Sequence, residues 1–452
     1  MQAHERVDKI LNEPSVPIHI IGAGGVGMSG LALLLAHLGF TITASDQKDG
    51  LYLQKLKSKL KDVWVGSQPQ RILPGSVVFY SSAVPENDKE RVFALQNRLH
   101  VFSRHPLLYA ITRRYFTIGV AGAHGKTTTS AWVADFLIRA GLDPCALIGG
   151  TVREWQSQFR MGQGQLDGKP LLVMEADESD SSFLSLDLNI ALITNIDLDH
   201  VDRFSSLQDI QNEYIQFAQS TLGRKGVVLP SIECAEFLKS YTTADTKEGH
   251  NAWISESSQF MISLPGLFNR RNFSMLYLLA RELQIDLRFL RETAEEFKGV
   301  KRRMEIRGNT GGAFGLDVID DYGHHPHEIQ SVLESLATTY SQIIIVWEGH
   351  RLSRFLHFRK EFEQVLKKFQ ARQSLFALPF FHASESLESF PEFSRIYEEF
   401  LQNLSMQQLD DNFSQLIPVV ENSQTSGCIV FFGAGNSSEA AGKFLEIIER
   451  GK

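Results

Sequence analysis

The chain has 452 residues, enough for two to four domains of ordinary size. Hydrophobic residues at 43% and charged residues at 22% are the balance of a soluble globular protein. A net charge of −8 argues against a dedicated nucleic-acid binder or a binder of anionic membranes.

The N-terminus, "MQAHERVDKILNEPSVP", is charged and lacks the apolar core of a signal peptide. The richest apolar run, Gly30–Phe40, is far shorter than the roughly 20 residues that span a bilayer. Cys145, Cys234 and Cys428 are widely spaced, odd in number and form no metal or disulfide pattern, which fits a reducing compartment. A cytoplasmic protein is expected.

"PIHIIGAG" predicts a buried strand running into a turn, and Gly25–His37 carries apolar residues at helical spacing. Gly22, Gly24 and Gly27 fit Gly-x-Gly-x-x-Gly, and Asp46 follows Gly27 by 19 residues at the end of the next strand, "FTITASD". Alone this is a weak dinucleotide fingerprint, with Asp46 on a ribose hydroxyl, and an ordinary structural turn would look the same. Any diphosphate could sit at such a helix N-terminus. Gly75–Val84 predicts a later strand of the same parallel sheet.

The alternation restarts at Tyr115–Gly122, a strand leading into "GAHGKTTT". This is a shortened phosphate loop, Gly-x-x-Gly-Lys-Thr; the full form would need glycine where Val120 stands. Gly122 and Gly125 let backbone N–H groups face an anion, with Ala123 and His124 between them. Lys126 would place charge at the β/γ-phosphates, Thr127 would offer a hydroxyl to Mg²⁺, and a helix is expected from Thr128. Leu171–Asp180 and Ile190–His200 predict further strands ending in Glu175, Glu178 and His200. Carboxylates suit Mg²⁺, a histidine less so, and each acid taken singly is also an ordinary loop charge. A third restart follows Phe297–Gly308, with strands expected at Gly315–Ile319, Ser341–Val346 and Cys428–Phe432 and helices at His327–Ala337 and Phe355–Phe369.

The ordered set "GAHGKTTT", "EADESDSSF", "TNIDLDHVDRF", "NRRN", "KRRMEIRG" and "DDYGHHPHEI" resembles the Mur ligases over nearly the whole chain. The resemblance implies an α/β protein of three domains in series. These are a Rossmann-like UDP-sugar-binding domain over 1–112, a central P-loop ATPase domain over 113–304 and a Rossmann-like amino-acid-binding domain over 305–452. It also implies the substrates UDP-N-acetylmuramate, L-alanine and ATP, with Mg²⁺ or Mn²⁺, for peptidoglycan precursor synthesis. ATP would phosphorylate the sugar's carboxylate and the amine of alanine would displace phosphate.

Carried over by position, the resemblance assigns ATP to Gly122–Thr128 (with Lys126, Thr127 and Thr128), Asn269, Asn272, Arg303 and Asp321. It assigns the metal to Thr127, Glu175 and His200. The UDP sugar falls to Gly22, Gly24, Gly25, Val26, Gly27, Met28, Asp46, Ser81 and Ser82. Tyr322, His324, His350 and Arg354 fall to the amino acid. An arginine such as Arg354 can hold a carboxylate through paired hydrogen bonds, and His324 is a candidate partner for the attacking amine. The catalytic set is Lys126, Glu175, His200, Arg303 and Asp321. A monomer or weak homodimer is expected, with no nucleic-acid or membrane partner.

The chain departs from the family at Phe268, where histidine is usual, at Glu348-Gly349 in place of Gln-Pro, and at Met304 in place of phenylalanine. It has no lysine between residues 202 and 223, where several relatives carry a carbamylated one, a trait that agrees with the alanine-adding branch. Three alternatives stand beside this reading. One is a ligase attaching a recycled tripeptide to the same sugar; another is a nicotinamide-binding oxidoreductase, which leaves the second loop unexplained. The third is a ligase-like protein that has lost catalysis, against which the intact Lys126, Glu175, His200, Arg303 and Asp321 argue.

Overall fold

The structure is a computed structural model that describes residues 3–201, 203–242, 261–312, 315–370, 374–383, 385–423 and 425–450. The chain divides into two compact units. The first comprises Met1–Asp197, Gln208–Ser263 and Arg271–Lys298; the second comprises Leu198–Leu207, Leu264–Arg270 and Gly299–Lys452. Among the described residues no helix is long and apolar enough to cross a membrane.

Three sheets follow one another along the chain, each flanked by helices, and the fold is α/β throughout. The first holds β1 (Ile18–Ile21), β2 (Ile42–Asp46), β3 (Asp62–Val65), β4 (Val77–Tyr80) and β5 (His100–Ser103) in the order β3-β2-β1-β4-β5, all parallel. The helix Val26–His37 is buried continuously from Met28 to Leu35. Gly30 lets Leu147 approach to 3.0 Å of where a Cβ would stand, and Ser29 Oγ accepts from Gln158 Nε2 at 2.8 Å. This helix is therefore covered on more than its sheet side.

The second sheet holds β6 (Phe116–Ala121), β7 (Cys145–Val152), β8 (Ser157–Arg160), β10 (Lys169–Glu175), β11 (Ile190–Ile193) and β12 (Val227–Pro230) in the order β12-β11-β6-β10-β7-β8. The short β9 (Gln165–Leu166) pairs with β10. Its central strands are parallel; β6 and β11 are buried along their whole length and β10 from Leu171 to Met174, and their residues are mostly apolar, as expected of strands covered on both faces. The third sheet holds β13 (Glu305–Asn309), β14 (Leu316–Asp321), β15 (Gln342–Trp347), β16 (Leu375–Ala377), β17 (Gln407–Gln408) and β18 (Gly427–Phe432) in the order β13-β14-β18-β15-β16-β17. Here strand alternation sorts the core cleanly. Ile343, Ile345, Trp347, Val430 and Phe432 enter one cluster, while Ile344, Val346, Ile429 and Phe431 enter another.

Several expected boundaries shift. The second loop's helix spans Lys126–Arg139, two residues earlier than expected, because Gly125 already adopts the left-handed turn that precedes it. The strand expected over Gly75–Val84 is confined to Val77–Tyr80, since Val84 N–H turns back to Ser81 O. Those expected to reach Asp180 and His200 end at Glu175 and Ile193. Beyond Ile193, Thr194 and Asn195 bond to the backbone of His124 in place of a ladder. Cys145, Cys234 and Cys428 are free and buried; burial pushes the first two thiols up to about 11 and that of Cys428 higher still.

The first sheet carries a buried charge. Glu90 accepts from Trp64 Nε1 (2.6 Å), Gln68 N (2.7 Å) and Ser45 Oγ, with His19 Nε2 3.4 Å away. Burial alone would raise its pKa, but these bonds outweigh it and the pKa is lowered. Stability from such a carboxylate is present above the unfolded-state pKa of about 4.3 and is lost as pH falls through the folded value. Glu90→Gln should therefore cost about 2 kcal/mol at pH 7, because its amide must face a donor, and the deficit should shrink in acid. Urea melts of both proteins at pH 7 and near pH 4 read this directly.

Candidate functional site

The second glycine loop links β6 to the helix Lys126–Arg139. Gly125 has φ +81, and a Cβ there would stand 2.4 Å from Asn272 Nδ2. A Cβ at Gly122 would stand 1.9 Å from Thr194 Oγ1. The loop is pinned from β11's end: Asn195 Oδ1 accepts from His124 N (2.9 Å), and Thr194 Oγ1 donates to His124 O (2.7 Å). His124 Nε2 lies 3.0 Å from Asp197 Oδ2. A loop so held keeps its backbone N–H groups in place before any ligand arrives.

Lys126 folds over this loop. Its Nζ donates to Gly122 O (2.7 Å) and to both oxygens of Glu178 (2.9 Å each). Burial opposes its charge, but Glu178, Asp177 and Glu175 outweigh burial and hold the ammonium above its ordinary pKa. Burial acts the other way on Glu178, pushing the carboxyl up to about 7 against the pull of Lys126. With both carboxylate oxygens in contact with the ammonium, we take the pair as charged. A phosphate reaching Lys126 would compete with Glu178 for it.

Thr127 Oγ1 donates to Glu175 Oε2 at 2.9 Å, and the same oxygen accepts from Gly149 N at 2.9 Å. A Cβ at Gly149 would stand 2.0 Å from that oxygen, so glycine is required for the approach. A hydroxyl and a carboxylate held together beside further carboxylates are hard oxygen donors, and they fit Mg²⁺. Of the three expected metal residues, the first unit brings Thr127 and Glu175 together. His200 belongs to the second unit, where its N–H donates to Asp199 Oδ1 at 2.6 Å.

The first glycine loop shares the first unit. Gly24 N donates to Asp46 Oδ2 at 2.9 Å, and a Cβ at Gly24 would stand 2.8 Å from that oxygen. Asp46, expected on a ribose, thus also shapes the loop. Gly22 packs against Ser81, whose Cβ is 2.9 Å from the position a Cβ at Gly22 would take. Gly25 precedes the helix Val26–His37 and has no side chain to cap its first turn.

A cavity of about 110 Å³ joins the two loops' surroundings, lined by Gly27, Arg104, Gly149, Gln158, Glu175 and Ser182 among others. Sequence reasoning missed Arg104 and Gln158. Arg104 Nε donates to Asp180 Oδ2 (2.7 Å) and Nη2 to Ser182 Oγ (3.2 Å), while Nη1 is 3.5 Å from a Cβ position at Gly27. Burial would raise the pKa of Asp180, but hydrogen bonds from His105 and Arg104 hold it well below the usual carboxylate range. Neither Arg104 nor Gln158 sits in a spaced motif, so no local signal marks them.

The second unit gathers the other expected residues. Asp321, at the end of β14, accepts from Met304 N and Gly323 N (2.8 Å each), and burial pushes its carboxyl up to about 6. The guanidinium groups of Arg302 and Arg303 each lie 5.0 Å from the Tyr322 ring centroid. Asn269 Nδ2 donates to Pro265 O at 2.7 Å, whereas Asn272 belongs to the first unit beside Gly125.

His324 and His350 have ring centroids 5.5 Å apart. Burial, then the charge of Arg354, lowers both, His350 to about 3, so both imidazoles are neutral at pH 7. Arg354, 4% exposed, grips Asp199 Oδ1 through Nε (3.1 Å) and Nη2 (2.6 Å), and its Nη1 is 3.3 Å from His350 Nδ1. Asp199 was not singled out from the sequence, although it stands inside "DLDH".

Family comparison matches three successive regions: the Mur ligase family, catalytic domain, at residues 17–116; the Mur ligase middle domain at 120–248; and the Mur ligase, glutamate ligase domain, at 302–435. The UDP-N-acetylmuramate–L-alanine ligase of Myxococcus xanthus is 34% identical over 76% of this chain and 77% of its own length. That of Aquifex aeolicus is 30% identical over 97% and 99%. The crystal structure of UDP-N-acetylmuramate-alanine ligase from Thermotoga maritima superposes with a TM-score of 0.76 at 22% identity, covering 96% of this chain and all of that one. A murein peptide ligase from Psychrobacter arcticus superposes at 0.65 with 19% identity, covering 96% and 99%.

Gly125→Ala tests the loop. The added Cβ meets Asn272 and demands a left-handed backbone, so ATP affinity should be lost while the melting temperature drops by only a few degrees, at about 2–4 °C per kcal/mol for a unit of this size. Calorimetric titration with ATP and a thermal melt measure the two separately.

Proposed function

The chain belongs to the Mur ligase family, and on that premise we propose that it is an ATP-dependent ligase joining L-alanine to the carboxylate of UDP-N-acetylmuramate. The observation that carries this reading is the cavity within the first unit. It has Gly27 of the first glycine loop on one side and Glu175, 2.9 Å from Thr127 of the second, on the other. An acid carried by a nucleotide bound at Gly22–Met28 would end beside the nucleotide loop that activates it. The family's UDP-N-acetylmuramate–L-alanine ligases, 30–34% identical to this chain, support the choice of acceptor and amino acid. The functional division we propose is 1–112 for the UDP sugar, 113–304 for ATP and 305–452 for the amino acid.

In the reaction the sugar's carboxylate oxygen attacks the γ-phosphorus of ATP and ADP leaves. The neutral amine of alanine then attacks the acyl carbon, and the C–O bond to phosphate breaks as the amide forms. Phosphoryl transfer needs positioning and cations more than covalent help from the protein. Lys126, held charged by its carboxylate neighbours, supplies one cation to the β/γ-phosphates, and Arg303 another. Thr127 and Glu175, with His200, would hold Mg²⁺ or Mn²⁺, which neutralises phosphate charge when bound. Asp321 would serve the nucleotide ribose, and Asn269 and Asn272 the adenine side.

Tyr322, His324, His350 and Arg354 would form the amino-acid pocket. Its neutral imidazoles put no positive charge against an incoming ammonium, and a neutral His324 keeps one ring nitrogen unprotonated to accept a proton from the amine. The substrate carboxylate would take over Arg354 from Asp199, exchanging one anion for another.

Phosphate release should require the UDP sugar, ATP, Mg²⁺ and L-alanine together. Lys126→Ala should cut the rate at least about 100-fold, the loss typical of removing a preorganised charge donor. Release with the murein tripeptide and not L-alanine would move the chain to the tripeptide-recycling branch. Release indifferent to sugar and amino acid would overturn the ligase reading.

A further inference from the structure

A third glycine turn, Gly433–Ser437, lies between β18 and the helix Ser437–Arg450. Its N–H groups do not face outward to a ligand; a carboxylate of the same chain fills them. Glu348, the residue after β15, is 1% exposed. Its Oε2 accepts from Gly435 N (3.0 Å) and Ser437 N (3.3 Å), and its Oε1 from Asn436 N (2.8 Å). Its own N–H donates to Phe432 O at 2.9 Å. Three donors at a helix start and the positive end of the helix dipole thus meet one buried negative charge.

The contact extends to the proposed amino-acid pocket. A Cβ at Gly435 would stand 2.8 Å from Glu348 Oε2 and 2.5 Å from the Phe381 ring, so Gly435 touches both. Phe381 stacks on His350, with centroids 5.5 Å apart and planes within 9°. Its backbone clasps the same loop: Phe381 N donates to Gly349 O (2.8 Å) and Arg351 N donates to Phe381 O (3.0 Å). Gly349 has its own reason, since a Cβ there would stand 2.2 Å from the Phe380 ring. Arg302 closes the far side through Nη2 to Gly433 O (2.6 Å) and Ser437 Oγ (3.1 Å). Glu348 and Gly349 are therefore parts of one packed layer with Gly433, Gly435, Phe380 and Phe381, and His350 lies on its surface.

We propose that Glu348 is a positioning residue for the amino-acid pocket: its carboxylate locks the Gly433–Ser437 turn, and through Gly435 and Phe381 fixes the ring of His350. The proposal rests on reading His350 and Arg354 as pocket residues. A glutamine at 348 offers one acceptor oxygen where three amides need two, so its NH₂ would face an N–H and loosen the layer.

The test compares wild type, Glu348→Gln, Glu348→Ala and Glu439→Gln, the last removing an exposed acid from the first turn of the same helix. Steady-state phosphate release gives the KM for L-alanine, ATP and the UDP sugar. Glu348→Gln should raise the KM for L-alanine about tenfold, the effect of losing a charge-assisted bond. The KM for ATP should stay within about twofold, and Glu439→Gln should match wild type. An unchanged alanine KM in Glu348→Gln would overturn the proposal, and so would a parallel rise in all three KM values with a lowered melting temperature. Glu348→Gln preserves volume and decides the matter even if Glu348→Ala fails to fold. Absence of alanine-dependent release in wild type would instead overturn the ligase reading on which the proposal stands.

Discussion

Hydrogen in place of a side chain at Gly122, Gly125 and Gly149 is the constraint on which the proposed ATP side depends. Each position brings backbone within reach of a polar group that a Cβ would displace: Thr194 Oγ1, Asn272 Nδ2 and Glu175 Oε2 respectively. These contacts converge because β6, β10, β7 and β11 run parallel and end at the same edge. Lys126 can then stand 2.9 Å from Glu178, and Thr127 2.9 Å from Glu175. A parallel sheet supplies the common edge, and glycine supplies the approach.

The three glycine turns end in different electrostatics. Asp46 binds the Gly24 amide in the first and leaves the helix start at Gly25 without a side-chain cap. In the second a lysine folds over the loop and the acids stand beyond it. In the third, Glu348 takes three amides in succession. Similar turns on similar strand-to-helix junctions are thus given to unlike tasks, and the side chain that reaches across from a neighbouring strand makes the difference. Fold alone would not separate them.

What the sequence disclosed follows from locality. Buried parallel strands are continuous apolar runs, so β1, β6, β10, β11, β15 and β18 were legible, as were the glycine turns after them. The polar antiparallel β13 at a sheet edge, with its bulge between Ile306 and Gly308, carries no such run and was not foreseen. Nor was β7, whose pattern is broken by Gly149 and Gly150; at Gly149 the break is the space Glu175 needs. Lys126, Thr127 and Glu175 can be singled out as candidates from the sequence because motif spacing is local. Arg104 with Asp180, Ser29 with Gln158, Arg354 with Asp199 and Glu348 with Gly435 join residues 76, 129, 155 and 87 positions apart, and no periodicity encodes such pairs. Glu348 and Gly349 were visible only as departures from the family's habit, without a reason until Phe380, Phe381 and the third turn stood around them.

The three buried thiols have a practical corollary. The thiolate is the species that alkylating reagents attack, and burial keeps these sulfurs protonated and enclosed. Each therefore reacts only when its surroundings open, so the native chain carries its own chemical reporters of local unfolding. Cys145 and Cys234 watch the first unit and Cys428 the second, and pulse labelling read out by mass would time the opening of each unit without any engineered probe.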